Sequence, residues 1–97
     1  MSTQTALPIA EDGVRDVTHM GRALRHYRAA RSEMACTRRP VVLFDQATGS
    51  KLRLESMKEV RMLLFAAASA YRGARAAGLT EAANDELRGI RTERLRT

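Results

Sequence analysis

The sequence predicts an α+β fold that is mainly helical. Helical periodicity recurs in three separate stretches of the chain. A short apolar run and an alternating run, separated by turn-forming residues, predict one β-hairpin between the first two of those stretches. A chain of 97 residues is long enough for one domain and too short for two. We assign residues 14–97 to that domain and residues 1–13, which show no periodicity, to a flexible N-terminal arm.

A basic helix is predicted from Val14 to about Met34. Its larger apolar residues recur on one stripe at about 100° per residue. The stripe holds Val17, Met20, Leu24, Tyr27 and Met34. Arg31 also falls in it, so either the helix ends near Ala30 or Arg31 pairs with an acid from elsewhere in the chain.

The β-hairpin is predicted from residues 41–44, 45–50 and 51–55. The first segment is apolar and β-prone, the second is rich in turn formers, and the third alternates apolar with charged residues. The alternation directs Leu52 and Leu54 inward and the charged residues of that strand outward. We therefore expect the hairpin to lie against a helix.

A long central helix is predicted with clear ends. Ser56 and Glu59 have the spacing of a capping box, in which the serine hydroxyl accepts a hydrogen bond from the backbone N–H of the glutamate. The helix is expected to run to about Ala77, because Gly78 and Leu79 fit the left-handed residue and the apolar contact of a Schellman stop.

Apolar residues occupy most sides of this helix, which is typical of a buried helix. One stripe holds Met57, Val60, Leu64, Ala67 and Tyr71. A second stripe holds Ala66, Ala70, Gly73 and Ala77, and Met62 and Phe65 lie between the two stripes. The small residues permit another backbone to come close. We predict that a second copy covers them in a homodimer, the alternative cover being the first helix of the same chain.

A short C-terminal helix completes the predicted fold. Thr80 is its expected N-cap, and the helix extends from Glu81 to about Arg94. Its apolar stripe is thin and holds Ala83, Leu87 and Ile90.

Composition indicates a basic protein without disulfides. The formal charge is +6, and fifteen of the 17 basic residues are arginine. Such a surface favours polyanionic partners, and the guanidinium group suits phosphate. Cys36 is the single cysteine, which excludes an internal disulfide. There is no signal-peptide pattern and no apolar run near the roughly 20 residues of a membrane span, so we expect a cytoplasmic protein.

No pattern in the sequence predicts catalysis, a cofactor or a metal. His19 and His26 lie seven residues apart, about 10.5 Å along a helix, whereas two helical ligands of one metal are normally three or four residues apart. Residues 48–51 (Thr-Gly-Ser-Lys) lack the glycine and lysine order of a phosphate-binding loop. We therefore expect a binding protein and not an enzyme.

The candidate binding residues are basic. Arg15, Arg22, Arg25 and His26 share one face of the first helix, and Lys51 and Arg53 form a second surface on the hairpin. Few acids interrupt the first helix, so its face is predicted to contact phosphates. Base-stacking aromatics are missing from that face, which favours duplex over single-stranded nucleic acid. The leading expectation is a small dimeric regulator that binds nucleic acid.

Two alternatives stay open at this point. A small phage- or plasmid-type inhibitor or adaptor, binding a host protein complex such as a defence nuclease, needs the same basic surface. In addition, a strand at residues 51–55 followed by two helices has the element order of a ribbon-helix-helix repressor. The long first helix and the predicted hairpin partner strand both depart from that order.

Overall fold

A computed structural model describes residues 7–45 and 48–93, with side chains from Gly13 onward. The elements of the described part are α1 (Leu7–Thr37), β1 (Val41–Asp45), β2 (Ser50–Leu54), α2 (Met57–Ala76) and α3 (Thr80–Thr92). The predicted α+β, mainly helical fold is confirmed. The molecule measures 54 × 26 × 22 Å, since the 31 residues of α1 alone span about 46 Å.

Helix α1 is longer than predicted at both ends. It begins at Leu7, so residues 7–13 of the expected arm are helical, while residues 1–6 lie outside the described part. It ends where Arg38 adopts a left-handed φ of 56° and donates its backbone N–H to the Met34 carbonyl at 2.8 Å. The helix does not end near Ala30, and Arg31 is exposed on its continuation, so its charge does not require a buried acid as a partner.

The hairpin forms where it was predicted, except that Asp45 and Ser50 belong to the strands and Glu55 does not; residues 46 and 47 of the predicted turn lie outside the described part. β1 pairs antiparallel with β2 in a register that places Val41 opposite Leu54, and both side chains are buried. Gly49 takes the left-handed φ of 73° that its place in the turn requires. Val42 and Phe44 point away from the core and are 50% and 58% exposed. β2 is thus paired within the chain, unlike the strand of a ribbon-helix-helix repressor.

The N-terminal cap of α2 is confirmed with one refinement. The Glu59 backbone N–H donates to the Ser56 hydroxyl at 3.4 Å. The Glu59 carboxylate accepts from the N–H of Glu55 at 2.6 Å, whereas in a standard capping box it accepts from the N–H of the N-cap residue, here Ser56.

The predicted Schellman stop of α2 is also confirmed. Gly78 has a φ of 82° and donates its N–H to the Arg75 carbonyl at 2.9 Å. Leu79 donates to the Ala74 carbonyl at 2.8 Å and packs against the core. The predicted cap of α3 is wrong, because Thr80 lies inside that helix and makes no capping hydrogen bond.

Two apolar clusters hold the elements together. The first joins α1 to the C-terminal half of α2 and to α3, and its buried members are Met20, Ala67, Ala70, Ala74 and Ala83. The second joins the later part of α1 to the hairpin and the start of α2, and its buried members are Ala30, Met34, Val41, Leu54 and Val60. Most of these side chains are small, so the clusters provide limited stability and polar contacts between elements matter more.

The buried side of α2 lies between the two predicted stripes. Val60, Ala67, Ala70 and Ala74 are its buried residues. Met62 and Phe65 were expected to complete a buried surface, and this prediction is wrong, because they are 57% and 66% exposed. Among the described residues, α1, α3 and β2 pack against this helix, and the face that carries Met62 and Phe65 is open to solvent.

Candidate functional site

Arg25, expected to contact a partner, lies against α3 of its own chain. Its Nε and Nη2 donate to the Glu93 carboxylate at 3.0 and 2.7 Å, and its Nη1 donates to Glu86 at 2.7 Å. The hydrogen bonds with Glu93 and then Glu86 raise the pKa of Arg25, and Arg25 lowers the pKa of Glu93. Arg25 therefore fastens α3 to α1 and contributes little uncompensated charge to the surface.

Arg28 completes this attachment at the C-terminal end of α3. It donates to the Ile90 carbonyl and, at 3.1 Å, to the Glu93 carbonyl. A cation at a helix C-terminus satisfies carbonyls that lack a partner within the helix. Gly21 is buried at this contact, and a Cβ there would require the Glu86 carboxylate to move.

Arg22 joins α1 to the hairpin. Its Nε lies 3.3 Å from the Asp45 carboxylate, with the two side chains 34% and 15% exposed. The pair brings the end of β1 beside α1. Phe44 consequently lies near the basic helix, where it lines an open groove of about 530 Å³ together with Arg22 and His26.

Four basic residues of α1 line a second groove, between α1 and α2. They are Arg15, His19, Arg22 and His26. Their spacing along the helix forms one row of about 16 Å. The groove has a volume of about 500 Å³, and its α2 wall consists of Leu63, Ala66, Ser69 and Ala70. Small side chains on that wall give an extended ligand access to the row, and Asp16 is the acid that also lines it.

The small-residue stripe of α2 is covered by α1 of the same chain. A Cβ at Gly73 would overlap the Asp16 carboxylate, and a Cβ at Gly13 would come within 2.7 Å of the Ala77 methyl group. Ala70 is buried in the first cluster, and Ala66 is exposed at the groove. The predicted second copy is therefore displaced as the cover of this stripe, because α1 already makes the close approach that the small residues allow.

The second predicted surface lies on the outer face of the hairpin. Lys51 and Arg53 are exposed, opposite Phe44 and Val42 in the strand register. Arg53 forms an ion pair with Glu55. The hairpin surface thus keeps Lys51 as a cation beside an exposed phenylalanine, and the Arg22–Asp45 pair brings it next to the row on α1.

Sequence reasoning omitted two members of this site. His19 belongs to the row at the spacing i, i+4 from Arg15, a signal that the sequence already contained. Phe44 carried no such signal, because only the packing of the hairpin against α1 brings it near Arg22 and His26.

The described residues contain neither a cluster of metal-binding side chains nor a helix that could span a membrane. Within 7–45 and 48–93, no group of three or more histidine, cysteine or acidic side chains comes together as a metal site. None of the described helices is both long and apolar enough to span a membrane. Comparisons with protein-family models, with curated proteins and with solved structures give no match.

Proposed function

We propose that the protein is a non-enzymatic nucleic-acid-binding protein that acts as a small regulator in the cytoplasm. The observation that supports this proposal is the row of Arg15, His19, Arg22 and His26 along one groove. Arginine side chains are well suited to phosphate contacts, and a linear row matches a linear polyanion. Arg25 is left out of this site because two carboxylates, those of Glu86 and Glu93, engage it, whereas Arg22 meets the single carboxylate of Asp45 through its Nε.

The size of the row limits the number of phosphates it neutralises. The row offers between two and four contacts, from the guanidinium groups of Arg15 and Arg22, the latter also paired with Asp45, and from the imidazoles of His19 and His26. Each phosphate neutralised on a duplex contributes roughly −0.9 to the slope of log K against log salt concentration. A slope between about −2 and −4 is therefore expected of one copy. We propose that a homodimer doubles the contacts, through a surface other than the α2 stripe.

A duplex remains the proposed ligand. Phe44 is the exposed aromatic residue beside the row, and single-strand binding proteins stack successive bases on several aromatic rings. The ring of Phe44 can stack on one base only, which favours a duplex over a single strand as the ligand. Lys51 and Arg53 extend the basic surface along the hairpin and are proposed as additional contacts to the duplex.

A salt titration with a matched control tests the proposal. Fluorescence anisotropy of a labelled duplex is measured at several salt concentrations for wild type, for Arg15→Ala with Arg22→Ala, and for Arg31→Ala with Arg39→Ala. Both double variants lose two charges, but Arg31 and Arg39 are exposed residues that do not line the groove. The first pair is expected to reduce the slope by about 2, since two phosphate contacts are lost. Equal effects of the two pairs would contradict the proposed site, and circular dichroism checks that both variants fold.

The rival function is an inhibitor or adaptor that binds an acidic surface of a host protein through the same residues. It predicts no duplex binding even at low salt. A pull-down from lysate with and without nuclease then discriminates: a protein partner retained after nuclease treatment, and lost in the Arg15→Ala, Arg22→Ala variant, favours the rival over the regulator.

A further inference from the structure

A separate apolar groove lies where α1, α2 and α3 meet. Its lining residues are Met20, Leu24, Leu64, Ala67, Ala68, Tyr71, Arg72 and Leu87. Its volume is about 310 Å³, and Arg72 is the one charged residue among them. A space of this size accommodates one or two large apolar side chains of a partner.

The outer face of α2 continues this groove onto the surface. Leu64 lines the groove and is 37% exposed, and Phe65, the next residue of α2, is 66% exposed. Arg61, Phe65, Ala68 and Arg72 follow the spacing i, i+4, i+7, i+11, which forms one row of about 16 Å along the helix. An apolar centre with an arginine at each end is the result.

The cations of this face lack the acids that engage Arg25. Arg61 and Arg72 form no ion pair with any other described residue, and neither does Lys58, one turn before Arg61. Glu59, the acid in the first turn of α2, points its carboxylate at the N–H of Glu55. The surface therefore combines exposed apolar area with uncompensated positive charge.

We propose that this surface binds an acidic amphipathic helix of a protein partner. The apolar side chains of that helix enter the groove beside Leu64, and its carboxylates pair with Arg61 and Arg72. Binding of an amphipathic helix in a groove uses apolar anchors one turn apart, and three turns of helix match the length of the row. Charge complementarity sets the orientation and favours acidic partners.

A second copy of the chain is a poor occupant for the same electrostatic reason. In an antiparallel contact Arg61 of one copy faces Arg72 of the other, and in a parallel contact each arginine faces itself. Either arrangement places like charges together. A nucleic acid satisfies the arginines but leaves the apolar groove and Phe65 without apolar partners, apart from stacking on a single ring.

This surface is independent of the basic row on α1. Ala66 and Ser69 face the α1 groove, whereas Leu64 and Ala68 face the apolar groove on the opposite side of α1. Loss of duplex binding on the first surface and loss of peptide binding on the second are therefore separable by experiment.

A designed peptide serves as the probe. It is a labelled helical peptide with leucines at i, i+4 and i+7 and glutamates on its other faces, and its matched control carries lysines in place of the glutamates. Anisotropy is measured with the full chain. Saturable binding of the acidic peptide, at least about tenfold tighter than that of the lysine peptide, is expected. No saturable binding, or equal binding of both peptides, overturns the proposal.

Variants locate the contact. Phe65→Ser, and separately Arg61→Glu with Arg72→Glu, are each expected to weaken binding of the acidic peptide by about tenfold or more. Val42→Ser and Arg31→Glu with Arg39→Glu are the matched controls, since they change exposed residues away from the groove, and a change under about twofold is expected. Controls that weaken binding as much as the test variants overturn the proposal.

The other occupants give distinct results. Light scattering that detects a dimer abolished by Phe65→Ser assigns the surface to a second copy and overturns the proposal. Duplex binding that is lost in Arg61→Glu with Arg72→Glu, while the acidic peptide does not bind, assigns it to nucleic acid and also overturns it.

Discussion

The basic face of α1 and the outer face of α2 look alike in sequence and differ in the folded chain. Both carry arginines at helical spacing with few acids nearby. On α1, Arg25 is engaged by Glu86 and Glu93, and Arg22 by Asp45. On α2, Arg61 and Arg72 meet no acid among the described residues. The acids that engage the arginines of α1 come from other elements.

The small apolar core explains why arginines of α1 form polar contacts with α3. α3 buries only Ala83 and Ile90, which provides little apolar stabilisation. Arg25 and Arg28 add hydrogen bonds to its carboxylates and C-terminal carbonyls. Part of the basic character of the first helix is thus required for the fold, and only the remainder is available to a partner.

The largest expected effect comes from Ala70→Glu on the inner side of α2. The substitution places a carboxylate in the first cluster, where Ala70 is 9% exposed. We expect a loss of about 2 kcal/mol in the free energy of unfolding, because the larger side chain overpacks the cluster, although the basic residues of the adjoining groove can partner its carboxylate. Urea denaturation measures it. Unchanged stability together with a dimer-to-monomer change in light scattering would instead support an interface at this stripe.

A smaller loss of stability is expected when one arginine of each surface, Arg25 on α1 or Arg72 on α2, is replaced by glutamate. Arg25→Glu places a third carboxylate beside Glu86 and Glu93 and should lower the melting temperature by several degrees, with loss of α3 helicity. Arg72→Glu should change stability by less than about 0.5 kcal/mol. Thermal denaturation followed by circular dichroism compares them, and equal destabilisation would remove the distinction between the surfaces.

Lowering the pH tests the ion pair between Arg25 and Glu93, which attaches the end of α3 to α1, with a smaller expected effect on stability. Arg25 lowers the pKa of Glu93 from its ordinary value, so the pair stabilises the fold above that ordinary value and the stabilisation is lost as the pH falls through the lowered one. Wild type should therefore be more stable than Glu93→Gln near neutral pH, by a few degrees at most because the pair is exposed, and the two should converge in acid. Melting temperatures from pH 7 down to pH 3 show whether the difference vanishes. A constant difference would contradict this role for Glu93.

The smallest effect on stability is expected from Phe65→Ser. Phe65 is 66% exposed, so its removal should change the free energy of unfolding by less than about 0.5 kcal/mol while reducing exposed apolar area. Chemical denaturation of the variant and of wild type gives the comparison. A loss of several kcal/mol would show that Phe65 supports the fold and would weaken its assignment to a docking surface.

Local chemistry made much of the fold predictable. The Ser56–Glu59 cap, the left-handed glycines 49 and 78 and the alternation of β2 act over a few residues, so the sequence alone located them. The errors in the bounds of the elements occurred at helix ends without strong signals. Leu7 and Thr37 bound a longer α1 than periodicity indicated, because apolar spacing does not mark where a helix stops.

The sequence by itself determined the element order, the position of the hairpin and the basic character of α1. Only the tertiary structure decided which side of α2 is buried and which arginines remain available. Arg25 and Glu93 are separated by 68 residues, and no local pattern indicates that they meet. The same holds for Phe44 beside Arg22, which depends on how the hairpin packs against α1. Local hydrogen bonds and backbone preferences act along the chain, whereas ion pairs and exposure depend on contacts that the packing of whole elements creates.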